Sequence, residues 1–260
     1  MATRLRQVLP WMCAALVLCA SSSALAVTIN HGDFGPDAPS GFTAYQDVRE
    51  DSGTDPVPPG LYGPPTLTGN TLDFDPSSFV ASANGGGSDI TNVQLNFDLD
   101  AGDGGLLSLI ITESGDYSLF GSGSDATSVA AGVSVSVDIF EVDGAAITPI
   151  SVFASSSIVR DLVSDGPVVL AGWANELLVD FAAVLAANNI AFELGVTKAE
   201  VVIDNQLIAI SEAGSVSFIA KKNFTLRPNE GFPPSVPEPS ASLLLAPLLV
   251  AAGRSLGRRG

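Results

Sequence analysis

Hydrophobic and polar residues alternate along most of the middle of the chain, from about residue 67 to residue 226. The alternation is clearest over residues 93–99 and 133–139. A period of two places successive side chains on opposite faces, so it predicts half-buried β-strands. Residues 106–112 form a continuous apolar run suited to a central strand. Further strands are predicted at residues 117–120, 147–153, 168–173, 198–203, 206–211 and 216–226.

One segment has helical spacing instead. Phe181, Val184 and Leu185 recur at intervals of three and four residues, and Asp180 stands where a helix N-cap would be. The pair Asn188-Asn189 is typical of a helix end. We therefore expect one short helix that packs over an end or a face of the strands.

Turn residues separate the last predicted strands. Asp204-Asn205 lies between two of them, and residues 212–215 (Glu-Ala-Gly-Ser) lie before the final strand, which predicts a meander. Residues 27–65 are rich in Gly, Pro and Asp and show little period, so they predict loops with one or two short edge strands. Many short strands with one helix favour an all-β fold, an antiparallel β-sandwich spanning residues 27–227, with a barrel as the main alternative.

The front of the chain has the three parts of a secretory signal peptide. Arg4 and Arg6 come before an apolar run at residues 8–20, and Ala24-Leu25-Ala26 supplies the small residues of a cleavage site. Residues 1–26 are therefore predicted to be removed after Ala26, with the Sec machinery and signal peptidase as partners. The alternative, a retained membrane helix, would need about 20 apolar residues.

Composition sharpens this prediction of export. Both cysteines, Cys13 and Cys19, lie in the predicted signal peptide, so the exported chain would contain no disulfide. Five of the eleven basic side chains lie in the two end segments, which leaves 27 of the 28 acidic side chains and six basic ones in the body. A surface this acidic repels nucleic acid, so no nucleic acid partner is expected.

The back of the chain has its own order. A Pro-rich linker at residues 228–235 is followed by an apolar run at residues 241–253 and by a basic end. An apolar segment followed by arginines acts as a stop-transfer signal, because the arginines stay on the cytoplasmic side. Thirteen residues are few for a stable span, which favours a temporary anchor in the inner membrane over a permanent one. The alternative is a buried C-terminal helix.

This tail, residues 236–260, resembles the PEP-CTERM sorting signal of Gram-negative, biofilm-forming bacteria. The resemblance implies recognition and cleavage by an exosortase, followed by release or transfer to the cell surface, often in association with exopolysaccharide. The residues that carry it are the motif Val236, Pro237, Glu238 and Pro239 and the basic cluster Arg254, Arg258 and Arg259.

Asp98, Asp100 and Asp103 crowd one predicted loop after a strand. Carboxylates spaced this closely can bind Ca²⁺, although the spacing does not match an EF-hand. The alternative is a solvated acidic turn. No other cofactor is expected.

Catalysis has weak support in the sequence, and we expect a protein that is not an enzyme. The single histidine, His31, lies near the N-terminus of the body, and no cysteine remains for a nucleophile. A glycosidase needs only two carboxylates, so pairs such as Glu113 with Asp116 can be nominated only arbitrarily.

Three functions remain open at this stage. The first is a non-enzymatic surface or extracellular-matrix protein associated with exopolysaccharide. The second is a carbohydrate-binding module, and the third is a secreted glycan-active enzyme. The aromatic residues that would bear on the second are expected in the core rather than on a sugar-stacking platform: Tyr45, Tyr62, Tyr117 and Trp173.

Overall fold

The computed structural model describes residues 27–35, 44–52 and 60–231. These parts of the chain are almost entirely antiparallel β-structure, as the alternation predicted. In chain order the elements are β1 (Val27–Phe34), β2 (Ala44–Ser52), β3 (Thr66–Thr68), β4 (Thr71–Phe74), β5 (Val80–Asn84), β6 (Ser88–Asp100), β7 (Gly105–Gly121), β8 (Ser128–Val142), β9 (Ala145–Asp161), α1 (Leu162–Asp165), β10 (Val168–Asp180), α2 (Phe181–Ala187), β11 (Val196–Ile210) and β12 (Ser215–Gly231).

The strands form two layers. The layer that we name the first sheet has the order β1-β2-β6-β11-β8-β9, with β11 paired along its length to both β6 and β8. The second sheet has the order β10-β7-β12, and β12 also pairs with β5 at its start and with β4 further along. A single pair, Val196 with Leu106, joins the two sheets.

The core lies between these sheets, in a β-sandwich-like arrangement. Every second residue of β8 from Val129 to Ile139 is buried, and the buried residues of β7, β11 and β12 belong to the same hydrophobic cluster. Burial of apolar area at about 25 cal/mol per Å² is the main term that holds such layers together. Hydrogen bonds also cross between the layers, for example from the Tyr45 hydroxyl to the Leu226 carbonyl at 3.0 Å.

A β-bulge in β12 reverses which residues face the core. Lys221 pairs with Gly115 and Asn223 pairs with Ser114, so Lys222 is the extra residue. Before the bulge odd-numbered residues point inward, and after it even-numbered residues do. Gly115 permits this bulge, because a Cβ there would lie 1.9 Å from the Ala220 carbonyl oxygen.

The turn predicted at Asp204-Asn205 is absent from the described chain, where β11 runs straight through both residues. Asp204 pairs with Gln94 on one side and with Ser134 on the other, and Asn205 is buried. Pairing along both edges outweighs the local turn preference of an Asp-Asn dipeptide. The turn predicted at residues 212–215 is confirmed between β11 and β12.

The strands predicted at residues 106–112 and 117–120 are one strand, β7. Gly115 lies between the two predicted segments, where a glycine suggested that one strand ends and another begins. It does not break the strand, because β10 and β12 pair with β7 on both sides of it.

The N-terminal part is more ordered than the sequence predicted. β1 is an edge strand, but β2 lies between β1 and β6 inside the first sheet. Register shifts near Gly32 and a positive φ at Asp47 interrupt the alternation. These irregularities hid the strands from a search for a strict period of two.

The predicted helix is confirmed as α2. Asp180 accepts a hydrogen bond from the Ala183 amide at 2.9 Å, and Asn188 follows the last helical residue. The four-residue helix α1, which follows β9 directly, was not predicted. Within the described parts of the chain, no helix reaches the length and apolarity needed to cross a bilayer.

The final strand is longer than predicted. Residues 228–231, expected to open the Pro-rich linker, continue β12 and pair with the start of β7. The amide of Asn70 donates to the Pro228 carbonyl at 3.2 Å, which ties this end of the strand to the turn between β3 and β4.

Candidate functional site

A groove of about 690 Å³ crosses the outer face of the first sheet. Its walls and floor come from the end of β2 and from β6, β11, β8 and β9, at the level where Asp204 and Gln206 point outward from β11. The groove therefore lies on regular strands rather than on loops, and its shape is set by the register of the sheet.

The strand register places the outward side chains in two polar rows across the sheet. We name the first set the acidic row and the second set the amide row. The acidic row is Asp51, Gln94, Asp204, Ser134 and Ser155. The amide row, one step along the strands, is Asn92, Gln206, Gly132 and Ser157.

The two rows present mainly neutral hydrogen-bonding groups. The carboxylate of Asp204 accepts from the Gln94 amide at 2.9 Å, and that of Asp51 accepts from the Asn96 amide at 3.0 Å. Small residues on β8, Gly132 and Ser134, keep the middle of the groove open. The groove can thus offer amide donors and acceptors and hydroxyl groups to a polar ligand.

Apolar side chains flank the polar rows on the same face. Phe153, on β9, is 74% exposed and lies two residues from Ser155. On the other flank, Val159 and Ile90 are 65% and 49% exposed and lie beyond the amide row. The outer face therefore combines a polar strip with apolar borders, a composition that suits a ligand with both hydroxyl edges and apolar faces.

A second polar cluster lies directly beneath the groove, between the two sheets. Asn205 comes from the inner face of the first sheet, and Glu113 and Lys221 come from β7 and β12 of the second. Lys221, Glu113 and Asn205 are each no more than 1% exposed. The Lys221 ammonium contacts both the Glu113 carboxylate and the Asn205 side-chain oxygen. Asn205 also donates from Nδ2 to Glu113 Oε2 at 3.0 Å, so the three side chains are in mutual contact.

Hydrogen bonds extend this cluster to the edge of the sandwich. The other oxygen of Glu113 accepts from the Asn175 amide at 2.9 Å, and the Asn175 oxygen accepts from the Ser156 hydroxyl at 2.6 Å. The resulting chain runs from β12 through β7 and β10 to β9. Each buried polar group in it has a partner, as burial in low dielectric requires.

Aromatic rings close the cluster off from water. The Lys221 ammonium lies 4.9 Å from the ring centroid of Phe79 and 5.3 Å from that of Phe224. Burial lowers the pKa of Lys221 to about 8, and the negative charge of Glu113 opposes that shift. Burial, Glu113 and Glu50 together raise the pKa of the nearby Tyr62 phenol well above its ordinary value.

A second buried acid, Glu50, positions this aromatic cover. Its carboxylate accepts from the backbone amides of Leu61 at 2.5 Å and Tyr62 at 3.3 Å. Gly60 is required beside it, because a Cβ there would lie 2.3 Å from the carboxylate. His31 Nε2 lies 3.6 Å from the same group, and the His31 side chain is buried with its ring against that of Phe74, so His31 packs within the body.

The calcium prediction finds no support in this geometry. No group of three or more acidic, His or Cys side chains that could hold a metal ion occurs within residues 27–35, 44–52 and 60–231, so Asp98, Asp100 and Asp103 are not brought together. Asp100 instead accepts from the Gly102 amide at 2.9 Å and lies 3.8 Å from Lys198 Nζ.

Other predicted residues can be placed, and the expectation that the aromatics are core residues is confirmed. Glu113 faces inward to Lys221, whereas Asp116 contacts the exposed Lys222, so the two carboxylates do not share a site. The four aromatic residues are 5% exposed or less: Tyr45, Tyr62, Tyr117 and Trp173. The residues of the predicted cleavage site and sorting signal lie outside the described residues: Ala24, Ala26, Val236, Pro237, Glu238, Pro239, Arg254, Arg258 and Arg259.

Sequence reasoning missed both the groove and the buried cluster. Glu113 and Lys221 are 108 positions apart, and their meeting depends on the pairing of β7 with β12. A lysine inside the apolar stretch of the predicted final strand was the one available signal. The groove had a weaker signal, namely the small polar residues that alternate with valines in β8.

Comparisons with known proteins add little to this geometry. No family model matches the chain, and no curated protein gives a significant match. Among solved structures, TmCBM61 in complex with β-1,4-galactotriose is 10% identical with a TM-score of 0.19, over 72% of this chain and 87% of that one. The VP2 subviral particle of infectious bursal disease virus is 9% identical with a TM-score of 0.13, over 86% of this chain and 57% of that one. Similarities at these TM-scores carry no functional argument.

Proposed function

We propose that this chain is an exported surface or extracellular-matrix protein that acts by binding, not by catalysis, and that the polar groove is its binding surface. The observation that carries the proposal is the alignment of two polar rows on neighbouring strands, with the acidic row across five strands and the amide row across four. Outward polar residues are ordinary on a sheet, but here they line one groove of about 690 Å³ and are bordered by exposed apolar residues.

The ligand class that fits this surface is a neutral polysaccharide. Sugar rings have hydroxyl groups on their edges and apolar C–H faces, which match the amide and hydroxyl rows and an exposed ring such as Phe153. The groove crosses several strands, so a linear chain of sugars would contact more of it than a single sugar would. This candidate function corresponds to a carbohydrate-binding module.

Charge argues against an anionic polymer as the ligand. The chain has a formal net charge of −17, and Asp51 and Asp204 lie in the groove itself. Polyanions such as nucleic acid or uronic-acid polymers would be repelled before contact. The neutral hydrogen-bonding groups of the groove carry no such penalty.

Delivery to the outside follows from the two ends of the chain. In this proposal residues 1–26 direct export, and the tail at 236–260 holds the protein briefly at the inner membrane until an exosortase cuts near Glu238. The acidic, cysteine-free body then works at the cell surface or in the matrix, where exopolysaccharide is the available polymer.

The binding proposal is tested by applying the exported protein to an array of neutral and acidic glycans. Retention on one or more neutral glycans is expected, and Gln206→Ala or Phe153→Ala should weaken it at least tenfold. Gln46→Ala and Phe120→Ala are matched controls, because both residues are exposed but lie outside the groove. No retention on any glycan, or equal loss in the controls, would refute the proposal.

The delivery proposal needs a separate experiment. The intact mass of protein recovered outside the cell should correspond to a chain that starts at Val27 and ends near Pro237. A Glu238→Ala change should leave an uncleaved form in the membrane. Recovery of exported protein that retains its last twenty residues would contradict sorting by the tail, whatever the outcome on the glycan array.

A further inference from the structure

The buried contact between Lys221, Glu113 and Asn205 has the composition of a reaction centre. It contains an amine, a carboxamide and a carboxylate, each no more than 1% exposed and each touching the other two. A purely structural ion pair would require only the lysine and the glutamate. The third member, Asn205, brings an electrophilic carbonyl carbon to the lysine nitrogen.

Glu113 is placed to serve both reacting partners. Its Oε2 atom is in contact with the Lys221 ammonium and also accepts from Asn205 Nδ2 at 3.0 Å. One carboxylate oxygen therefore touches both the nucleophile and the leaving group. The other oxygen is fixed by Asn175 at 2.9 Å, which holds the carboxylate in this orientation.

The surroundings favour an uncharged amine. Phe79, Phe224 and Tyr62 exclude water from the cluster, and burial lowers the pKa of Lys221 to about 8. A larger fraction of the nitrogen is then neutral near physiological pH than for an exposed lysine. Fixed neighbours in a dry site also react with a high effective concentration.

We propose that Lys221 and Asn205 become joined by an intramolecular isopeptide bond, with Glu113 as the group that transfers the proton. Glu113 takes a proton from the Lys221 ammonium, and the freed lone pair attacks Cγ of Asn205. Glu113 then gives the proton to Nδ2, takes the second proton from the lysine nitrogen, and the Cγ–Nδ2 bond breaks. The leaving ammonia carries this last proton away as ammonium, so the lysine nitrogen ends as an amide with one hydrogen. The step consumes no oxidant or co-reactant, and the chain loses about 17 Da, the mass of ammonia.

The bond would tie the two sheets together. Asn205 lies on β11 in the first sheet, and Lys221 lies on the bulge of β12 in the second. Between them lie residues 206–210 at the end of β11, the short turn that follows Ile210, and the first residues of β12. In a body whose sequence contains no cysteine after Cys19, the cross-link would constrain the unfolded chain as a disulfide does.

The test is the mass of the folded, full-length protein, followed by peptide maps after denaturation and digestion with trypsin and, separately, with a protease that cleaves after glutamate. We expect an intact mass about 17 Da below that of the sequence after correction for terminal processing. No Lys or Arg lies between Asn205 and Lys221, so we expect the tryptic peptide to be a closed loop of residues 199–222 with no cleavage after Lys221. Cleavage after Glu212 should open this loop into a branched peptide in which the segment around Asn205 is attached to Lys221. Trypsin requires a free lysine side chain, so the missed cleavage is an independent readout.

Single substitutions test the roles of Asn205 and Glu113 in forming the cross-link. Asn205→Ala and Glu113→Gln should show the full mass and normal cleavage after Lys221, whereas Lys222→Met, at the neighbouring exposed lysine, should keep the mass loss and the branched peptide. If a variant does not fold, the map of the unaltered protein still decides the question. A full intact mass with a linear Asn205 peptide would overturn the proposal. So would a loss of about 17 Da carried by a linear peptide, because that result indicates a cyclic imide at Asn205 instead.

Discussion

The two faces of β11 use the same kinds of residue for opposite purposes. Asp204 and Gln206 point outward into the groove, whereas Asn205 between them points into the core and contacts Lys221 and Glu113. On the outer face, water can replace any hydrogen bond that a ligand does not make. On the inner face Asn205, Lys221 and Glu113 are shielded from water, and they hydrogen-bond to one another instead. The comparison shows that burial, rather than residue type, decides whether a polar side chain is free to bind or is committed to the structure.

The largest effect is expected from Lys221→Met. The substitution removes both the proposed cross-link and the side chain that contacts the buried Glu113, and loss of a buried partner costs about 3–5 kcal/mol of unfolding free energy, measurable by chemical denaturation. Lys222→Met is the matched control, because that lysine side chain is 59% exposed and its pair with Asp116 should contribute under about 1 kcal/mol. Equal losses in both variants would mean that the inner cluster is no more costly to break than the surface.

A somewhat smaller effect is expected from Gly115→Ala. The new Cβ would lie 1.9 Å from the Ala220 oxygen, so the bulge that turns Lys221 inward must shift, at a cost of about 1–3 kcal/mol. Gly172→Ala is the control, since a Cβ at that position meets nothing within 4 Å. In thermal unfolding, Gly115→Ala should therefore have a clearly lower midpoint temperature than Gly172→Ala. A stable Gly115→Ala variant would contradict the close approach of β12 to β7.

A smaller effect is expected in the pH dependence of stability, which should differ between Asn205→Ala and the unaltered protein. In Asn205→Ala the Lys221 amine stays free, and its pKa of about 8 in the folded protein lies below the ordinary 10.5. Between these values the unfolded chain binds more protons, so stability should rise with pH, by about 1 kcal/mol per unit between pH 8 and 10. In the cross-linked protein this nitrogen is an amide and does not titrate.

Tyr62 has the opposite effect on stability above about pH 10. Burial and the carboxylates of Glu113 and Glu50 raise its pKa in the folded protein, so the phenol ionises first in the unfolded chain and stability falls as the pH rises.

Denaturant midpoints at pH 8 and pH 9.5 would measure this difference. The slope of Asn205→Ala should exceed that of the unaltered protein. Identical slopes in the two proteins would argue that Lys221 has the same free amine in both.

The parts of the fold that the sequence predicts are those that depend on local pattern. Period-two alternation located most strands, and the N-cap Asp180 located α2. The prediction failed at Asp204-Asn205, where pairing with β6 and β8 overrides a turn preference, and at Gly115, whose role depends on the approach of a distant strand. The contact of Glu113 with Lys221 depends on both strand pairing and a bulge, and neither is encoded within a short window of sequence.

The central claim is that the outer face of the first sheet binds and the inner face locks the sandwich. The most direct test is the affinity of the folded protein for a neutral polysaccharide, measured by affinity electrophoresis on two variants at adjacent positions of one strand. Gln206→Ala should lose at least tenfold in affinity, and Asn205→Ala should bind as the unaltered protein does at a temperature where it is folded. Loss of binding in Asn205→Ala alone, or equal affinity in Gln206→Ala and the unaltered protein, would contradict the account.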